Sequence, residues 1–118
     1  TDSFRHFNAG AKETILGSEK KWIKFSRQIN EPKPNLAFLI KQIIPVDIVI
    51  VEGFKSSRHK KVEVVDHMSE RKPLYETDKT ICGLIINKLK IQDAILPQFQ
   101  RDDVQEICDF IETTLGVE

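Results

Sequence analysis

The segment DIVIVE, residues 47–52, constrains this chain more than any other. A nearly continuous apolar run of that length is the pattern of a strand covered on both faces, as in a parallel sheet. TICGLIIN, residues 80–87, reads as a second buried strand, with Gly83 a weak point inside it. Helical spacing separates the runs. In LAFLIKQII, Leu36, Leu39, Ile40 and Ile43 repeat on one face, Asn35 is placed to cap, and Pro45 ends the segment. The last helix is the clearest. Asp103 with Glu106 forms a capping-box-like start, Val104, Ile107, Cys108, Ile111 and Leu115 share an apolar face, and Gly116 stops it. Strands alternating with helices predict an α/β domain: a mostly parallel sheet flanked by helices.

The remaining segments fill in around that frame. TDSFRHFNAGAK predicts a short helix, with Thr1 or Asp2 as its cap and Phe4, Phe7 and Ala11 on one face. ETILGS and KKWIKFSR predict two strands, and the two prolines of residues 28–35 mark a loop. KVEVVD alternates, with Val62 and Val64 facing one way, which predicts a more exposed strand and an antiparallel extension of the sheet. Residues 67–79 are polar and predict a loop. At 118 residues the chain is the size of one domain with a single core.

Charge narrows the function classes. With 18 basic and 18 acidic residues the formal net charge is zero, which argues against a dedicated nucleic-acid binder while leaving room for a local phosphate patch. No run of about 20 apolar residues is present, so no membrane span is expected. No signal peptide is visible; the chain opens on Thr1, so either its start is processed or residues precede it. Cys82 and Cys108 lack metal-like spacing and lie in apolar segments, which predicts two buried reduced thiols in a cytoplasmic protein.

The chemistry gathers at the end of the first apolar run. In an open α/β sheet, ligands sit beyond the carboxyl ends of the strands, where Glu52 is expected to stand. A carboxylate there can hold a water on Mg²⁺, a hard cation that keeps several waters. Gly53 lets backbone approach a bulky ligand, and Lys55 adds charge. The same residues equally describe a core strand leaving the sheet into a solvated basic turn, Lys55 to Lys61. His59 and His67 lack ligand spacing, and His6 reads as a surface residue. GxxxxGK[ST], the phosphate loop, is not found; GAKET at Gly10 and GSEKK at Gly17 hold glycine and lysine in the wrong arrangement. No nucleophile set stands in a recognisable context either.

Two stretches taken together are more specific. TDSFRHFNAGA, followed by DIVIVEGFK and KVEV, resembles the MobB family of molybdopterin-guanine dinucleotide biosynthesis adaptor proteins. Asp2, Ser3, Phe4, Arg5, Ala9, Gly10 and Ala11 match that family's first segment. TILGS matches the strand that follows, Trp22 the tryptophan-bearing segment, and Asp47, Glu52, Gly53, Phe54 and Lys55 the Asp–apolar–Glu-Gly-Phe-Lys segment. The resemblance implies a P-loop NTPase-like fold that binds GTP and works as a homodimer beside the guanylyltransferase MobA. It implies Glu52 as the Mg²⁺-associated acid, Gly53 and Lys55 lining the nucleotide end of the sheet, and Asp2, Ser3 and Arg5 near the phosphates or the dimer cleft. Family members carry the P-loop before the Asp-Ser segment, so residues 1–118 resemble the carboxyl-terminal two-thirds of one such domain. By themselves they are expected to be at most a weak GTPase. Asn87 and Lys88 begin like the guanine-reading NKxD motif, but Lys90 stands where its aspartate belongs.

Two other readings stay open. One is a fragment of a small-molecule P-loop kinase, for which the segment with Arg71 and Lys72 is the only lid candidate. The other is a dimeric interaction module that binds no nucleotide.

Overall fold

In a computed structural model that describes residues 2–28 and 32–116, the chain divides into two units, Thr1–Pro45 and Val46–Glu118. Each is taken by itself. In the first, helix α1 (Asp2–Asn8) runs into Ala9-Gly10-Ala11. The Ala11 amide donates to His6 O at 3.3 Å and the Gly10 amide to Phe7 O at 3.2 Å. That crossed pair is a Schellman stop, and it needs the left-handed backbone that Gly10 supplies at φ 109°. The expected cap at Thr1 lies outside the described residues. Strands β1 (Glu13–Gly17) and β2 (Trp22–Ser26) form an antiparallel hairpin in register from Glu13↔Ser26 to Gly17↔Trp22.

One face of the hairpin meets α1. The rings of Phe7 and Phe25 lie 6.1 Å apart, and the Arg27 guanidinium sits 4.2 Å from the centre of the Phe7 ring. Arg27 also donates to the carbonyls of Phe7 and, at 3.5 Å, Ala11. A cation thus meets the carbonyl end of the helix, where the backbone dipole favours it. Phe4, expected on the covered face, is 63% exposed.

Residues 28–35 carry the expected loop, with 29–31 outside the described residues. Asn35 caps helix α2 (Leu36–Ile40), its side chain accepting from the Phe38 amide at 2.8 Å. The helix is shorter than the periodicity predicts. Gln42 and Ile43 donate to the carbonyls three residues back, a tightened last turn, because the residue before Pro45 is driven out of helical geometry.

In the second unit, β3 (Lys61–Val65), β4 (Ile81–Ile86) and β5 (Gln98–Gln100) form a parallel sheet in the order β3-β4-β5. Helix α3 (Val104–Leu115) follows, its start capped by Asp103, whose carboxylate accepts from the Glu106 amide at 3.1 Å. Gly116 closes it at φ 68°. Central strand β4 behaves as the sequence predicts: Leu84 and Ile86 are essentially inaccessible. They form a core with Val65 and Ile81, onto which Tyr75, Ile91, Ala94 and Leu96 pack from the connecting loops. Gly83 points to the opposite face. A side chain there would meet the ring of Phe110 at 2.9 Å, and Phe110 packs at a tilt against Phe99 with centroids 4.7 Å apart. Far from being a weak point, Gly83 is where α3 reaches the sheet.

Four expectations are corrected here. KVEVVD pairs parallel with β4, not antiparallel, and the residue it buries is Val65, while Val64 is 71% exposed; the antiparallel pairing lies in the β1–β2 hairpin. The covered face of α3 runs through Ile107, Phe110, Ile111 and Thr114, so Val104, Cys108 and Leu115 turn outward. Both thiols are free, Cys82 half-buried and Cys108 exposed rather than buried. Most consequentially, DIVIVE forms no strand: residues 47–52 have no ladder partner, and Ile50 is 86% exposed. An apolar run encodes a demand for cover, but a strand also needs a neighbour for its backbone amides and carbonyls.

Candidate functional site

Glu52 therefore stands in an irregular segment rather than at the end of a strand, and its carboxylate is exposed. The backbone after it is sharply shaped. Gly53 has φ 82° and Phe54 φ 51°, two consecutive left-handed residues, and the Ser57 amide closes the next turn on Phe54 O at 2.9 Å. Phe54 is the informative one, because a bulky side chain adopts that conformation only at a cost of about 1–3 kcal/mol. Glu52, Gly53 and Lys55 are thus held along one short reversal of the chain. Asp2, Ser3 and Arg5 belong to the other unit, on α1, with Asp2 and Arg5 exposed and Ser3 half-buried.

The basic loop is anchored through Lys61. Its ammonium donates to Ser57 O, to the Thr80 hydroxyl at 2.6 Å, and pairs with Asp78 at 3.4 Å. Asp78 in turn accepts from the Thr80 amide at 2.9 Å and the Thr80 hydroxyl at 2.6 Å. Those two bonds, and then Lys61, hold its carboxyl below the usual carboxylate range. Glu63 fixes the facing loop: its two oxygens accept from the Leu74 amide at 2.7 Å and the Tyr75 amide at 2.8 Å. Sequence reasoning missed both anchors. Asp78 and Thr80 carried a legible signal, an aspartate two residues before the amide it caps. Glu63 carried none.

Other candidates resolve into structure. His67 bonds through Nε2 to Leu89 O at 2.7 Å, and His6 and His59 are exposed. Gln100 grips both the amide and the carbonyl of Lys88, at 2.9 and 3.2 Å, and Gln98 grips Ile91 in the same way. These alternate residues of β5 hold the segment beginning Asn87-Lys88 as an extra ladder would. No group of three or more His, Cys, Asp or Glu among the described residues is arranged around a metal. A lone exposed carboxylate such as Glu52 does not suit an all-protein cage. It does suit Mg²⁺ held mainly by water and ligand phosphates, which needs only one or two protein carboxylates. No helix of the described residues is long and apolar enough to cross a membrane.

Comparison with known proteins places the chain in a family. A family model described as molybdopterin guanine dinucleotide synthesis protein B matches residues 1–87. The molybdopterin-guanine dinucleotide biosynthesis adapter protein of Escherichia coli (strain K12) is 26% identical over 114 residues, covering 93% of this chain. The chain spans 63% of that relative's length. The family match takes in α1 with its Gly10 stop, the hairpin, the Glu52–Lys55 reversal and the β3–β4 pair, well over half of the residues. The chain belongs to the MobB family.

Proposed function

We propose that this chain is part of a GTP-binding accessory protein in the synthesis of molybdopterin guanine dinucleotide, assisting a MobA-like guanylyltransferase. The observation that carries the reading is the family match across residues 1–87, which contains every residue assigned to the site. In this reading Glu52 holds Mg²⁺ through water, Gly53 admits the ligand close to the backbone, and Lys55 supplies charge to a phosphate. Asp2, Ser3 and Arg5 lie near the nucleotide or at the interface of a homodimer working in the cytoplasm. The fold is P-loop NTPase-like, and the P-loop amides that such binding requires are not among these 118 residues. Bound Mg²⁺ would neutralise phosphate charge, and in this reading hydrolysis is slow at most.

The test uses the protein at its full natural length. Glu52→Gln should weaken GTP binding measured with Mg²⁺ and leave binding in excess chelator unchanged. Equal loss under both conditions would remove the metal role from Glu52.

A further inference from the structure

Between the basic loop and residues 77–80 lies an open recess of about 370 Å³, lined by eight residues that are all charged or hydroxyl-bearing, among them Lys55, Ser56, Arg58, Lys61, Asp78 and Thr80. Lys61 is neutralised by Asp78 and locked by Thr80. Lys55 and Arg58 pair with no carboxylate of any described residue, so the recess keeps two uncompensated positive charges on a chain whose formal net charge is zero.

The walls are built before any ligand arrives. Lys61 ties the loop at Ser57 to Thr80, and its own amide donates to Thr80 O at 2.9 Å. The left-handed pair Gly53-Phe54 and the Phe54–Ser57 turn set the path of Lys55 and Ser56. Strain of the Phe54 kind gathers at ligand-holding loops.

We propose that this recess is an anion site that takes the phosphate or diphosphate end of a ligand. Arg58 offers a planar fork that meets two phosphate oxygens at once, and Lys55 a mobile point charge. Ser56 adds a hydroxyl. The lining has no aromatic or aliphatic residue on which a base could rest, so recognition stops at the phosphate. Two free cations are also too few to follow a nucleic-acid backbone. The recess lies at the amino ends of β3 and β4, its lining residues all preceding those strands or beginning β3. It shares only Lys55 with the nucleotide reading and does not depend on it.

Isotope-labelled protein of full natural length is titrated with pyrophosphate, with inorganic phosphate and with guanosine, following backbone amides by NMR. Pyrophosphate should shift the amides of Ser56–Arg58 and Thr77–Thr80 saturably, phosphate more weakly, and guanosine not at all. Arg58→Ala should lower pyrophosphate affinity at these amides about tenfold or more, with Arg58→Lys in between. Absence of saturable shifts there, or equal affinity in wild type and Arg58→Ala, would overturn the proposal. Pyrophosphate binding at the recess in a protein that ignores GTP would support this site and sink the nucleotide reading. GTP binding with no response at the recess would do the reverse.

Discussion

Replacing Gly83 by alanine tests how α3 is seated on the sheet. The added methyl would lie 2.9 Å from Cε1 and 3.1 Å from Cζ of Phe110. Carbon atoms rest comfortably at about 3.5–4.0 Å, so the ring must retreat by roughly half an ångström or more. Phe110 cannot retreat without disturbing its tilted ring contact with Phe99, worth about 0.5–1.5 kcal/mol. Overpacking of this kind costs about 1–3 kcal/mol. Against it stands a gain of about 0.4–1 kcal/mol, because alanine has fewer unfolded conformations than glycine. The net expectation is a loss of about 1–2 kcal/mol. With a urea slope of about 1–2 kcal/mol per molar for a chain of this size, the unfolding midpoint should fall by about 1 M. Phe110→Leu should cost less in the Gly83→Ala background than in wild type, a coupling of about 1 kcal/mol. An unchanged or raised midpoint for Gly83→Ala would refute the close seating of α3 on β4.

Two further expectations concern the anchors. Glu63→Gln keeps one acceptor oxygen of two, so one of the Leu74 and Tyr75 amides loses a charge-assisted bond worth about 1.5–3 kcal/mol. Hydrogen exchange at those amides should accelerate about tenfold or more, and unchanged exchange would show that the loop is held elsewhere. Asp78 titrates lower in the folded protein than in the unfolded chain, through Thr80 and Lys61. Its stabilisation is therefore present above the ordinary carboxylate range and is lost as pH falls through the lower folded-state value. Asp78→Asn should be less stable near neutrality and lose stability less steeply on acidification; an acid limb parallel to wild type would contradict that linkage.

Local signals were legible where chemistry is local. Asn35 and Asp103 cap helices, Gly116 stops one, and the pattern of TICGLIIN marks a strand that is indeed central. What misled was pattern without partner. DIVIVE and TICGLIIN look alike in sequence, yet only the second has strands on both sides, and pairing depends on residues far along the chain. The covered face of α3 is set by Phe110, which the bare backbone at Gly83 admits, and the spacing within the helix alone does not report that contact. Of the proposed site, Glu52, Gly53 and Lys55 lie in one short segment and can be read together from the sequence. The Lys61–Asp78–Thr80 anchor and the hold of Glu63 on its loop bridge from 11 to 19 positions. No single-segment pattern reports contacts of that span.

The proposed function turns on nucleotide choice. Calorimetric titration of the full-length protein with Mg-GTP and Mg-ATP, side by side, addresses it most directly. The proposed role predicts saturable binding of GTP with a clear preference over ATP. Preference for ATP, with turnover of a small acceptor, would point instead to a kinase. Binding of neither would contradict the nucleotide account and leave an interaction module.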